Sequence, residues 1–356
     1  MSEEPAINKV RSVAEAIIWQ ADHAEKAGAP NTARLVRALL AVAQTDTAIG
    51  RRIANWQGLT LEHAMPLRIA GGFHWLYLTG DEPRLGEIYQ GLITDQGRVD
   101  ALATETARTF DHVLLPWFDS PPQTNEAGRS ASIMAALLWL SDKVQPAFEL
   151  NEIGASAGIN TMMGRFRFDL GGVKVGPGLS SILIEPEWRG DPPPANSAEV
   201  VEAKGCDIMP VDLMDEAAAL RLKAYIWPEA TARMARMDAA IAMAGRAPPE
   251  LVRQDAAQFV TERLAEPQPD GVTRVLFHTI MWQYLPEATR NVITQAMKAA
   301  GALATADKPL AWISLETNRE TFRHECRVRY WPGGDREVHL GNAQPHGAWV
   351  EWIGAD

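Results

Sequence analysis

Apolar positions recur every three to four residues through most of the first 145 residues, the period of helices with one buried face. Val10, Val13, Ala14, Ile17, Ile18 and Ala21 follow it, and Gly28-Ala29-Pro30-Asn31 stops one helix and starts the next. The stretches 32–43 and 98–118 repeat the pattern, and DSPPQTN (119–125) breaks it. A further helix is predicted over 126–144, with Thr124 or Asn125 as its N-cap. Nothing before Pro146 reads as a strand.

From residue 147 short apolar runs alternate with helical patterns, the mark of strands joined by helices. Strands are predicted at 147–154, 200–208, 250–256, 274–280 and 310–316, and helices at 215–227, 229–245 and 286–301. RFRFDLGGVKVG (165–176) alternates at period two across Gly171-Gly172, as a hairpin does, and 180–188 is a candidate partner. The tail after Cys326 reads as antiparallel strands. The predicted fold is α/β: a Rossmann-like, doubly wound sheet with an antiparallel end over 146–356, an insertion near 162–200, and an all-helical cap over 1–145. Such sheets bind ligands at the carboxyl ends of their strands.

Composition narrows the partners. A net charge of −11 argues against a nucleic-acid backbone, which needs a basic surface. No apolar run approaches the ~20 residues of a membrane span. The start, MSEEPAINKV, lacks the character of a signal peptide, and two cysteines in no metal or disulfide spacing fit a reducing cytoplasm. HECRVRY (324–330) is not a zinc motif, and no metal is expected. A small molecule is the expected partner; the oligomeric state is not legible.

ELNEIGASAGIN (149–160) carries the chemistry, and it reads two ways. Gly154-Ala155-Ser156-Ala157-Gly158 fits the G-x-S-x-G elbow that presents a nucleophilic serine. That reading would recruit Asp255 or Asp307 with His324, His339 or His346, and Gly71-Gly72-Phe73-His74 as the oxyanion loop. The elbow normally follows several strands, however, and here it ends the first. Read from Glu152, the same letters fit E-x-G-x-S-x-G, close to the acidic, glycine-rich loop that holds S-adenosylmethionine in methyltransferases. Gly154 and Gly158 then make a tight turn, and Ala155 and Ser156 line it. The helix expected from Ile159 offers N–H groups at its start. Glu152 would stand by the amino acid moiety.

In the same reading Asp207, closing GCDIMP, would hold the ribose hydroxyls, with Asp169 or Glu185 as alternatives if the insertion supplies the second strand. Asp255-Ala256 would hold the adenine. A helix of about 28 Å over 126–144 returns its start to the strand's carboxyl end. There Arg129 suits a cofactor carboxylate, and Asn125 and Glu126 would face substrate. HTIMWQYLP (278–286) adds His278 as a candidate base, Tyr284 as a second catalytic candidate and Trp282 as a substrate wall, with Glu316 weaker.

TNEAGRS (124–130), ELNEIGASAGIN, GCDIMPVDL, FHTIMWQYLP and WVEW (349–352) together resemble the bacterial domain of unknown function 2332 family, over most of the chain. The resemblance implies a class I methyltransferase-like fold with a helical N-terminal part and an S-adenosylmethionine pocket. It brings no established reaction. A methyltransferase acting on a small acceptor is therefore expected. A non-catalytic nucleoside-binding protein and a serine hydrolase are the alternatives.

Overall fold

A computed structural model describes residues 12–58 and 63–354. Val10, the first position of the periodic pattern, lies outside them. In chain order the elements are α1 (Val13–Lys26), α2 (Pro30–Val42), α3 (Ala48–Ala54), α4 (Met65–Thr79), α5 (Leu85–Tyr89), α6 (Gln96–Thr109), α7 (Asp111–Leu114), α8 (Ser130–Leu140) and β1 (Ala147–Ile153). Next come β2 (Arg167–Leu170), β3 (Val173–Val175), β4 (Leu183–Ile184), β5 (Glu187–Arg189), β6 (Glu199–Asp207), α9 (Glu216–Ala224), α10 (Thr231–Ala244), β7 (Glu250–Arg253) and α11 (Ala256–Ala265). The chain ends with β8 (Val272–Thr279), α12 (Glu287–Leu303), β9 (Leu310–Thr317), β10 (His324–Trp331), β11 (Val338–Ala343) and β12 (Trp349–Trp352).

An N-terminal helical region precedes a mixed α/β sheet, and the chain divides into two compact units. The first joins residues up to Thr124 to Asp215–Ala235; the second joins Asn125–Met214 to the rest. The change of pattern at residue 146 predicts a boundary at 145, with all of 146–356 in the sheet domain. Two stretches move.

The first is α8. Every residue from Ser130 to Leu140 is buried, so the helix has no polar face to turn to water. It packs on β9, β10 and β11 and belongs with the sheet. The predicted N-cap also differs. A 3-10 turn at Ala127–Arg129 leads into α8, and the Asn125 side chain bonds elsewhere.

The second is α9 and the start of α10, which fold with the early helices. Glu229 supplies the reason: its carboxylate accepts the N–H groups of Asn31 and Thr32, each at 2.8 Å, and the Thr32 hydroxyl at 2.7 Å. It caps α2, whose own N-cap residue, Ala29, cannot. Asp111 caps α3 likewise, through Ala48 and Ile49 N–H at 2.7 and 2.8 Å. Acidic groups are favourable there because the first N–H groups of a helix lack internal partners. Gly71 and Gly72 sit inside α4, where a Cβ would meet the rings of Tyr225 at 2.7 Å and Trp117 at 3.0 Å respectively. The pair serves close packing and is not an oxyanion loop.

The large sheet of the second unit runs β5-β12-β11-β10-β9-β8-β1-β6-β7. The five strands β7, β6, β1, β8 and β9 are parallel, and β10, β11 and β12 continue antiparallel. The insertion forms a small sheet, β3-β2-β4, with the expected hairpin at Gly171-Gly172. β4 joins β2, whereas β5 leaves to pair with β12. Helices cover both faces. Cys326 of β10 donates its thiol to Ser132 O of α8, while Trp331, an odd number of residues along the strand, meets Gly301 of α12.

The middle of β1 holds a buried ion network. Glu149 Oε1 accepts from Arg263 Nη2 and Arg274 Nε, both at 2.8 Å, and Arg274 Nη2 reaches Oε2 at 3.2 Å. Arg274 gives its remaining N–H groups to the carbonyls of Arg263, Glu266 and Pro267. Arg263 also bonds Asn151 Oδ1 at 2.6 Å. The network ties α11 to β1 and β8 beneath the carboxyl edge.

Candidate functional site

β1 is flanked by β6 on one side and β8 on the other, so successive connections leave it in opposite directions. This is the switch point at which open α/β sheets bind ligands. The loop that follows β1 turns through left-handed backbone: Gly154, Ser156 and Gly158 have φ of +66°, +54° and +70°. A Cβ on Gly154 would come within 2.7 Å of Met281 Cε, and one on Gly158 within 2.8 Å of Pro249 Cβ. Only glycine fits at either place. Ser156 takes the same left-handed conformation with a side chain, which costs energy.

Neighbouring residues fasten the loop. Ser156 N–H donates to Asp207 Oδ2 at 2.9 Å, and Met209 N–H donates to Oδ1 at 2.8 Å. Ala155 N–H reaches Cys206 O at 3.0 Å. Ile159 N–H donates to Asn125 Oδ1 at 2.8 Å. The sequence pattern predicts a helix from Ile159 with N–H groups to offer. Instead a single 3-10 stretch covers Asn160–Arg165, and Ile159, Thr161 and Met162 N–H are already spent. The tighter i→i+3 bonds consume the donors an α-helix would have left.

Three buried side-chain atoms here have no hydrogen-bond partner among the described residues: Glu152 Oε2, Ser156 Oγ and Asn160 Oδ1. Buried polar atoms are normally satisfied, and three orphans within nine residues are unusual. Burial pushes the Glu152 carboxyl well above the usual range; Asn160 and Arg129 oppose the shift, and Asp207 adds to it. Arg129 is anchored through Nε to Pro345 O at 2.8 Å and through Nη1 to Thr279 O at 3.4 Å. Glu126 is buried 3.7 Å from His346 Nδ1. Asn125, Glu126, Arg129, Glu152, Gly154, Ala155, Ser156, Gly158 and Asp207 therefore form one connected region. Asn160 belongs to it too, and nothing in the sequence pattern marked it.

The other expected residues are not among these, although Gln254 N–H, next to Asp255, donates to Asp207 O at 3.1 Å. Asp207 ends β6, the strand beside β1, whereas Asp169 belongs to the small sheet and Glu185 to the segment after β4. Asp255 caps α11 through Ala257 and Gln258 N–H, and Ala256 packs in the core under that helix. Tyr284 is 74% exposed. His278 is buried with both ring nitrogens engaged: Trp312 Nε1–H donates to Nε2 at 3.0 Å, and Nδ1 lies 2.7 Å from Glu316 Oε1. The single ring proton thus sits on Nδ1 and goes to Glu316. Trp282 stacks on His278 at 4.9 Å. No histidine lies within hydrogen-bond distance of Ser156 Oγ. His324 instead bonds Thr317 Oγ1 at 2.9 Å, and His339 bonds Gly341 O and Asn342 Oδ1.

A helical unit and an α/β sheet with a fastened glycine loop at its switch point define the class of architecture. Residues 14–352 match the family described as "Uncharacterized protein conserved in bacteria (DUF2332)", and the chain belongs to that family. No curated protein and no solved structure matches the chain. No helix among the described residues is long and apolar enough to cross a membrane.

Proposed function

We propose that the loop after β1 binds S-adenosylmethionine on a Rossmann-like, class I methyltransferase-type sheet, and that the protein transfers its methyl group to a small-molecule acceptor. The observation that carries this reading is the cluster of orphaned atoms, Glu152 Oε2, Ser156 Oγ and Asn160 Oδ1, around a positive-φ turn at the switch point. They suit a ligand that brings hydrogen-bond donors. Asp207 would take the ribose hydroxyls. Each of its oxygens accepts one backbone N–H and keeps a second lone pair. Asn125 and Arg129 would hold the loop in register and set the charge beside Glu152. Asp255 and Ala256 would border the adenine end. The bound cofactor supplies an electrophilic methyl group on sulfur.

The test is thermal unfolding with S-adenosylmethionine or S-adenosylhomocysteine titrated in. At a hundred times the dissociation constant the ligand should add ~2.7 kcal/mol of stability. The gain should vanish in Asp207→Ala. Absence of a shift with either ligand, in folded protein free of co-purified cofactor, overturns the reading. A second reading, cofactor binding without methyl transfer, draws on His278, whose ring nitrogens are both occupied and leave no base there. Labelled S-adenosylmethionine offered with bacterial metabolite extract separates the two, since only the enzyme moves label into an acceptor.

A further inference from the structure

On the face of the sheet opposite α8, the ends of β8 and β9 and the middle of β10 line an open cavity of about 240 Å³. Trp282, Trp312, Ser314, Glu316 and Glu337 line it, together with Arg327 and Arg329. The two indoles meet edge to face, with centroids 5.5 Å apart at 63°.

The lining holds two arginines and two glutamates, but both arginines are already engaged by acids other than Glu316. Arg327 is spent on Glu325 and Glu337, with contacts of 2.5 and 2.6 Å. Arg329 is spent on Glu337 at 3.0 Å and Asp335 at 3.6 Å. Glu316 has no arginine or lysine partner among the described residues. Among the described residues the basic group bonded to its carboxylate is His278, whose Nε2 accepts from Trp312 and whose ring is therefore neutral.

The Glu316 side chain is only 17% exposed, and an uncompensated carboxylate is costly there. Its orientation is fixed nevertheless. Oε1 is held by His278 Nδ1 and by Met281 and Trp282 N–H, at 2.7, 3.1 and 3.2 Å. Oε2 takes no hydrogen bond among the described residues. A preorganised carboxylate oxygen beside two indoles is the arrangement that receives ammonium groups, through charge and through the ring quadrupole.

We propose that this cavity binds a small organic cation whose ammonium head, primary or methylated, pairs with Glu316 Oε2 against Trp282 and Trp312. The site stands whether or not the loop after β1 takes S-adenosylmethionine. If it does, Met281 touches both sites, since its side chain packs into the space above Gly154 and its N–H donates to Glu316 Oε1.

Choline and tetramethylammonium, titrated while tryptophan fluorescence is read, test this directly. A saturable change is expected, and it should be largely lost in Trp282→Phe. The uncharged choline isostere 3,3-dimethylbutanol should bind at least about tenfold more weakly. Glu316→Gln keeps an oxygen for the three anchoring donors and removes the charge, and it should weaken choline by a similar factor. Should that variant fail to fold, the comparison of cation with isostere on the unaltered chain decides. Equal binding of the isostere, no saturable change, or the same saturation with potassium chloride at equal ionic strength overturns the proposal.

Discussion

Ser156→Gly should make the protein more stable and its ligand site weaker. Ser156 holds φ at +54°, where a side chain costs about 1–2 kcal/mol, and its buried hydroxyl has no partner among the described residues, which costs about 1–3 kcal/mol more. Against this, glycine gives the unfolded chain about 0.5–1 kcal/mol of extra freedom, and a buried methylene worth about 0.8 kcal/mol is lost. The balance is a stabilisation of about 2 kcal/mol. The loop itself should persist, because Asp207 accepts the backbone N–H of residue 156 whatever its side chain. For a unit of this size that balance is a rise of roughly 4–8 °C in the melting temperature of the ligand-free protein. If the hydroxyl is a cofactor contact, the variant should also lose about 1 kcal/mol of binding, close to a fivefold weaker dissociation constant. Calorimetry on both forms, with and without S-adenosylhomocysteine, reads both effects. An unchanged or lower melting temperature would refute the argument, since it would mean that the hydroxyl is already satisfied or the backbone unstrained.

Glu149→Gln should cost about 3–5 kcal/mol in urea unfolding, because it leaves Arg263 and Arg274 buried without their shared carboxylate. A loss under 1 kcal/mol would show that the network adds little. Glu152→Gln tests the upward shift that burial gives this carboxyl. With its folded pKa raised, wild-type Glu152 binds more protons folded than unfolded, so its contribution falls as pH climbs above the unfolded value of roughly 4.3. The stability of the variant relative to wild type should therefore grow with pH, by at most about 1.4 kcal/mol per unit, and a pH-independent difference would contradict the burial argument.

Periodicity and turn chemistry located the strands well. The hairpin at Gly171-Gly172, the end of β6 at Asp207 and the unbroken apolar β8 all stand where the pattern put them. Membership of the two units was not legible. α8 is apolar all round, so it has no preferred side and names no partner, and the segment that carries α9 joins its unit through groups such as Glu229, just after that helix and about 200 positions from the helix it caps. At the site, the acidic and glycine positions could be read because a turn with φ > 0 restricts residue type. Asn160 could not, since an asparagine after a glycine loop is ordinary until its oxygen proves to be buried and alone. The bonds around His278 were hidden for the same reason: Trp312 and Glu316 lie on another strand, and only the register between β8 and β9 brings them to it.

The two units interrupt one another along the chain, and this sets an order of assembly during synthesis. The early helices leave the ribosome first, but Glu229, the cap of α2, is not among them. From Thr124 to Ala235 the ribosome needs roughly 6–22 s at 5–20 residues per second. Throughout that interval the nascent helical unit is incomplete, while β1 and β6 emerge ahead of the piece that finishes it. No single cleavage between the units can release either of them whole.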